Sequence, residues 1–203
     1  MKKKTITQST DKKIYNSLER WLNTASDKDW QDGKQWYKEA QDFCKYLSKE
    51  FDIDSYTCAA VVSALSPNNK WQRNKIDAFN VIRAFTQGKT AKSVSCCTYN
   101  ANKEKAFAIL KGSIELSAKS PKTHSFAMNC GLLSSDHITI DKWHIRACLV
   151  RPSDGVTNTI ESVTVAQYRR IEAITVKLAH KYGIKGYELQ AIIWVAIKHN
   201  WNR

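Results

Sequence analysis

"TCAAVVSALSPNNKWQRNKIDAFNVI", residues 57–82, begins as an uncharged apolar run, breaks at a cluster of turn formers, and resumes as a charged segment with helical periodicity. A helix that is apolar all round has no face to offer water, so the run over 57–66 predicts a buried central helix of about two or three turns. Ser66-Pro67-Asn68-Asn69 then predicts a turn. Beyond it Trp71, Ile76, Phe79, Ile82 and Phe85 recur near helical spacing, and Gly88 supplies a C-terminal stop. A buried helix, a polar turn and an amphipathic helix in succession set the expected class: all-α.

Working outward, the same period predicts a first helix over 10–24 (Ile14, Leu18, Trp21, Leu22) and a second over 33–50. Residues 89–100 are polar and irregular, and 101–111 read as a short helix closed by Gly112. Ser120-Pro121 is a cap followed by proline at the first helical position, which opens a helix running to Cys130-Gly131. "HITID", 137–141, is a brief extended approach, and Asp141 caps a helix ending near Val150. Helices over 163–182 and 186–199 follow, separated by Gly183. One compact globular unit over 1–203 is expected, as a monomer. The loop "RPSDGVTNT", 151–159, is its only plausible hinge, so the terminal helix pair either folds back on the first helices or forms a small second lobe.

Composition narrows the function. A hydrophobic content of 42% with seven Trp suffices for a core, and 32 Lys+Arg against 19 Asp+Glu leave a net charge of +13. That excess favours a polyanionic partner, most simply nucleic acid. No apolar run is long enough for a membrane span, and "MKKKTITQSTDKK" lacks the hydrophobic core of a secretory signal, so no membrane partner and a cytoplasmic location are expected. The six cysteines form no C-x-x-C pair and the five histidines no zinc-type spacing. Free, mostly buried thiols are expected, with no metal and no cofactor.

Three stretches in order carry a likeness. "VVSALSPNNKWQRNKIDAFNVI" (61–82), "SPKTHSFAMNC" (120–130) and "ITIDKWHIRACL" (138–149) together resemble the helix-hairpin-helix DNA glycosylase superfamily, the endonuclease III-like and oxoguanine glycosylase-like enzymes. The likeness covers roughly 55–150 and implies a glycosylase-like core there, with 1–54 and 155–203 as flanking helices that pack together. "YELQAIIWVAI" (187–197) resembles small phage-encoded proteins that share this core, which implies a host-cell cytoplasm as the place of action. There are departures. Where the family has a Gly-x-Gly hairpin gripping a phosphate, this chain has "LSAKSP" (116–121); where many members carry a gap-filling glutamine, it has Pro67; and the four-cysteine cluster loop is missing.

The resemblance implies base excision, as in DNA repair: a hydrolase, with lyase activity if an amine attacks the sugar. The reaction needs a base flipped from the duplex, a carboxylate to stabilise positive charge on the sugar, and a group to attack C1′. Lys122 and Asp141 match the catalytic pair, Lys122 as the amine that must lose its proton and Asp141 as the stabilising anion. The same residues also read as an ordinary first-turn lysine and an ordinary helix cap. His124 and His144 lie near them in sequence and are candidate proton shuttles. Double-stranded DNA would be met by Lys70, Arg73 and Lys75 after the turn, by Lys119 and Ser120 at the start of the next helix, and by Trp143; Asn68 or Asn69 would fill the gap left by the flipped base. Two other readings keep the fold: a phage enzyme building hypermodified bases, and a non-catalytic DNA-binding or host-inhibiting protein.

Overall fold

Every residue from Cys58 to Leu65 is buried in the computed structural model, which describes residues 4–132, 134, 136–154 and 162–201. The helix they belong to, α3 (Ser55–Leu65), follows α1 (Asp11–Thr24) and α2 (Asp27–Phe51) and precedes α4 (Trp71–Thr86), α5 (Asn100–Leu110) and α6 (Pro121–Cys130). The chain continues through α7 (Lys142–Leu149), α8 (Val165–Lys181) and α9 (Gly186–Trp201). Single 3₁₀ turns lie at Ala91–Ser93 and Pro152–Asp154. The protein is all-α, and among the described residues no helix is long and apolar enough to cross a membrane. Residues 155–159 of the expected hinge loop lie outside the described residues.

The chain divides into two compact units, one formed by Met1–Lys38 with Ser135–Arg203 and one by Glu39–Ser134. The stretch 55–150 therefore contributes to both. In the second unit α3 is enclosed by α4, α5 and α6. Asp54 caps its start, its carboxylate accepting from the amides of Tyr56 and Thr57. Two polar bonds then fix its neighbours: Ser63 donates to the Thr123 carbonyl of α6 at 2.7 Å, and Asn74 of α4 donates to the Val62 carbonyl at 3.0 Å. Cys44, Cys58 and Cys130 are buried free thiols, and burial pushes the Cys58 thiol up to about 12.

The first unit packs α1, α7, α8 and α9 around Ile14, Leu18, Ile145, Ile171, Leu178 and Ile192. Each such side chain contributes about 1.5–3 kcal/mol when fully buried. Polar bonds settle what the apolar packing leaves open. The extended approach 137–140 pairs with side chains of α8: the Ile138 amide donates to Glu172, the Ile140 amide to the Tyr168 hydroxyl, and that hydroxyl donates to the Ile138 carbonyl. At the far end of α7, Ser17 donates to the Ala147 carbonyl and Trp21 Nε1 to the Val150 carbonyl.

One boundary differs clearly from expectation. α2 starts at Asp27 rather than 33, because Ser26 and Asp29 exchange bonds at its head: the Ser26 amide donates to Asp29 Oδ2 at 2.9 Å and the Asp29 amide to Ser26 Oγ at 3.2 Å. Gly33 lies inside this helix against α9. A Cβ there would come within 2.6 Å of both Cα and N of Ile192.

Helix propensity alone would favour Gly33→Ala by about 1 kcal/mol. The clash is with backbone and cannot be relieved by a rotamer change, so a net loss of about 1–3 kcal/mol is expected in urea unfolding. A Gly33→Ala variant as stable as the native protein would contradict this close approach.

Candidate nucleic-acid interface

The turn between α3 and α4 holds the first of the residues expected from the sequence to meet DNA. Asn68 sits in the left-handed region at φ 56°, a conformation Asn tolerates better than most side chains, and it is exposed. Its amide nitrogen donates to the Tyr99 hydroxyl at 2.7 Å. Tyr99 is itself 63% exposed, so an amide and a phenol stand together at the surface of this turn. Thr98 donates to the Pro67 carbonyl at 3.0 Å and ties the same two segments.

Beneath that tip lies a buried carboxylate. Asp77 is wholly buried and accepts from Asn69 Nδ2 at 2.9 Å, from the Cys97 amide at 2.8 Å and from Arg73 Nε at 2.9 Å. The hydrogen bond to Asp77, with its charge, holds Arg73 above its ordinary value. Asn69 and Arg73 are thus engaged in holding the 94–99 segment beside the turn, while the exposed Arg73 side chain keeps the rest of its guanidinium toward solvent. Lys75 lies 5.7 Å over the Trp71 ring, and Lys70 is the exposed N-cap of α4 with no side-chain cap bond.

α6 begins in the same manner. Ser120 is its N-cap and makes no side-chain cap bond, Pro121 occupies the first turn, and that turn holds no acidic residue. Lys119, Ser120 and Lys122 are all exposed, so the leading end of this helix presents its dipole and three polar side chains to solvent. His124 is half-buried one turn on.

Asp141, Trp143 and His144 belong to the other unit. Asp141 caps α7 as the sequence predicts, Oδ1 accepting from the His144 amide at 2.9 Å. Trp143 packs half-buried against the apolar core, with the Arg146 guanidinium 4.6 Å over its ring. His144 is fully buried, with Nε2 3.0 Å from the Thr175 hydroxyl. That hydroxyl donates to the Ile171 carbonyl, so it accepts from His144, which assigns the proton to Nε2. Burial pushes the imidazole down to about 4, and the neutral ring is a core element closed off from water.

Several groups escape a motif-based reading. Arg83 and Lys89 join Arg73 around an open groove of about 500 Å³ on the second unit, lined also by Asn80 and Gln87 and, among the described residues, by no carboxylate. The helical members carried a signal as period, since 73, 80, 83 and 87 fall on one face of a helix, whereas Lys89 lies beyond its end. The Asn68–Tyr99 pair had no such signal, since its partners come from separate segments.

The family described as a family of unknown function (DUF7178) matches residues 1–201, and the chain belongs to it. No curated protein and no solved structure matches the chain.

Two outcomes follow. Asp77→Ala strands the three donors that meet this carboxylate and should cost about 1–3 kcal/mol, read by urea unfolding together with faster proteolysis near 94–99. His144 gives a pH signature: below 6.5 the unfolded chain takes up a proton that the native ring refuses until about pH 4, so stability falls with acidification across that window. The slope from this group reaches about 1.4 kcal/mol per pH unit. It should shrink in His144→Gln, and an unchanged slope between pH 6.5 and 5 would contradict the assignment.

Proposed function

We propose that this protein binds double-stranded DNA and excises a damaged or modified base through the amine of Lys122. The observation that carries the binding half is the distribution of charge on the second unit: Arg73, Arg83 and Lys89 line one groove with no carboxylate in its walls among the described residues. Such a surface attracts phosphates and gives affinity that falls with salt. The exposed amide of Asn68 stands on the turn that starts the same helix, suited to enter a duplex.

The excision half rests on the resemblance of 120–130 and 138–149 to the glycosylases. In its support, Lys122 is solvent-exposed in the first turn of a helix whose leading amides carry no side-chain cap. In the reaction the C1′–N bond breaks, the base leaves with the bonding electrons and takes a proton, and the neutral amine bonds to C1′. Transfer of a proton from that nitrogen to O4′ as the C1′–O4′ bond opens then gives a protonated Schiff base and a free 4′-hydroxyl. The resemblance alone assigns the charge-stabilising carboxylate to Asp141.

Borohydride reduction of that Schiff base is the test. Incubated with duplexes carrying an abasic site or single modified bases, the protein should form a covalent adduct that Lys122→Ala abolishes while duplex affinity stays within about threefold. Base release is assayed in parallel, to catch excision that proceeds without a covalent step. Salt-sensitive binding with neither adduct nor released base on any substrate would overturn the excision half and leave a DNA-binding protein. No duplex binding at about 50 mM salt would overturn both.

A further inference from the structure

The N-terminal segment and α1 form a second hollow, on the first unit, that none of the motifs touches. It is an open groove of about 500 Å³ whose walls include Lys4, Lys13, Arg20 and Arg151, with Gln8 and Asn16 between them and, among the described residues, no Asp or Glu. The absence of acid there is not for want of acid on α1. Asp11 and Glu19 sit on the same helix, but on the face turned to α8, where Arg170 Nε donates to Asp11 at 2.6 Å and Lys181 to Glu19 at 2.6 Å. Lys13, Asn16 and Arg20 are spaced three and four apart, so they share the opposite, groove-lining side.

α1 is therefore sorted by charge: its carboxylates are neutralised by cations of α8, and its two groove cations are not neutralised in turn. Among the described residues neither Lys13 nor Arg20 has a carboxylate partner, and both are exposed. Like charges gathered around one hollow repel one another. That arrangement suits a ligand bringing several negative charges with hydrogen-bond acceptors, which the Gln8 and Asn16 amides are placed to meet.

We propose that this groove binds phosphate groups, those of a nucleic-acid backbone or of a free phosphoester. The first source rests on the DNA-binding reading above, and the groove would then be a second contact surface that holds DNA without reading its sequence. The second source is independent of that reading.

The test compares the native protein with Lys13→Gln/Arg20→Gln. Both side chains are exposed and neither is bonded to the core, and circular dichroism with the melting temperature in ligand-free buffer checks the fold. Two probes are used: a duplex of about 20 base pairs titrated from about 50 to 200 mM salt, and inorganic pyrophosphate followed by its shift of the melting temperature. If the groove takes backbone phosphates, the variant binds the duplex more weakly and its log–log salt slope drops by about 2, roughly one for each lost contact. If the native protein binds no duplex but is stabilised by pyrophosphate, and the variant is not, the groove takes a free phosphoester, and the DNA reading falls while this inference stands. Duplex affinity, salt slope and pyrophosphate shift all unchanged in the variant would overturn the inference and leave DNA binding through the second unit intact.

Discussion

A helix with no polar face must be enclosed, and in the second unit that requirement governs the rest. α3 is buried from Cys58 to Leu65, and α4, α5 and α6 are the elements that enclose it. Hydrophobic burial does not set direction, so the orientation of the enclosing helices falls to hydrogen bonds. Ser63 reaches the Thr123 carbonyl and Asn74 reaches the Val62 carbonyl. Those two bonds hold the helix capped by Lys70 and the helix that begins with Pro121, each of which presents a lightly capped, cationic leading end to solvent.

The second organising device is the use of side chains to satisfy backbone that lacks a regular partner. The extended segment 137–140 is paired by Tyr168 and Glu172, and the carbonyl end of α7 is met by Ser17 and Trp21. Asp77 does the same for the Cys97 amide while also receiving Asn69 and Arg73. Such hubs are costly to break where a buried member is left unpaired, as the Asp77 carboxylate would be without its donors. They also show that a polar residue at a candidate binding surface can be committed to the fold: Asn69 and Arg73 serve the geometry of the turn.

Charge is sorted by the same means. On α1 the acids face the cations of α8 and the bases line a groove; on α4 the single acid of the 73–83 stretch is buried while Arg83 stays outside. A net charge of +13 becomes a directed feature only through this sorting.

The amino-acid sequence determined the helical class, most helix boundaries to within two residues and the Asp141 cap, because periodicity, Pro-start and Gly-stop signals and cap residues act over a few neighbouring positions. The start of α2 was missed: Ser26 and Asp29 are a local signal, while the contact with Ile192 that calls for a glycine at 33 exists only in the folded chain. The Asn68–Tyr99 pair, the three donors on Asp77 and the burial of His144 were decided by tertiary structure alone, as was the exposure of the two cationic helix faces that line the grooves. Each joins segments distant in sequence, or depends on which side of a helix is covered, and neither composition nor spacing records what a helix face will meet.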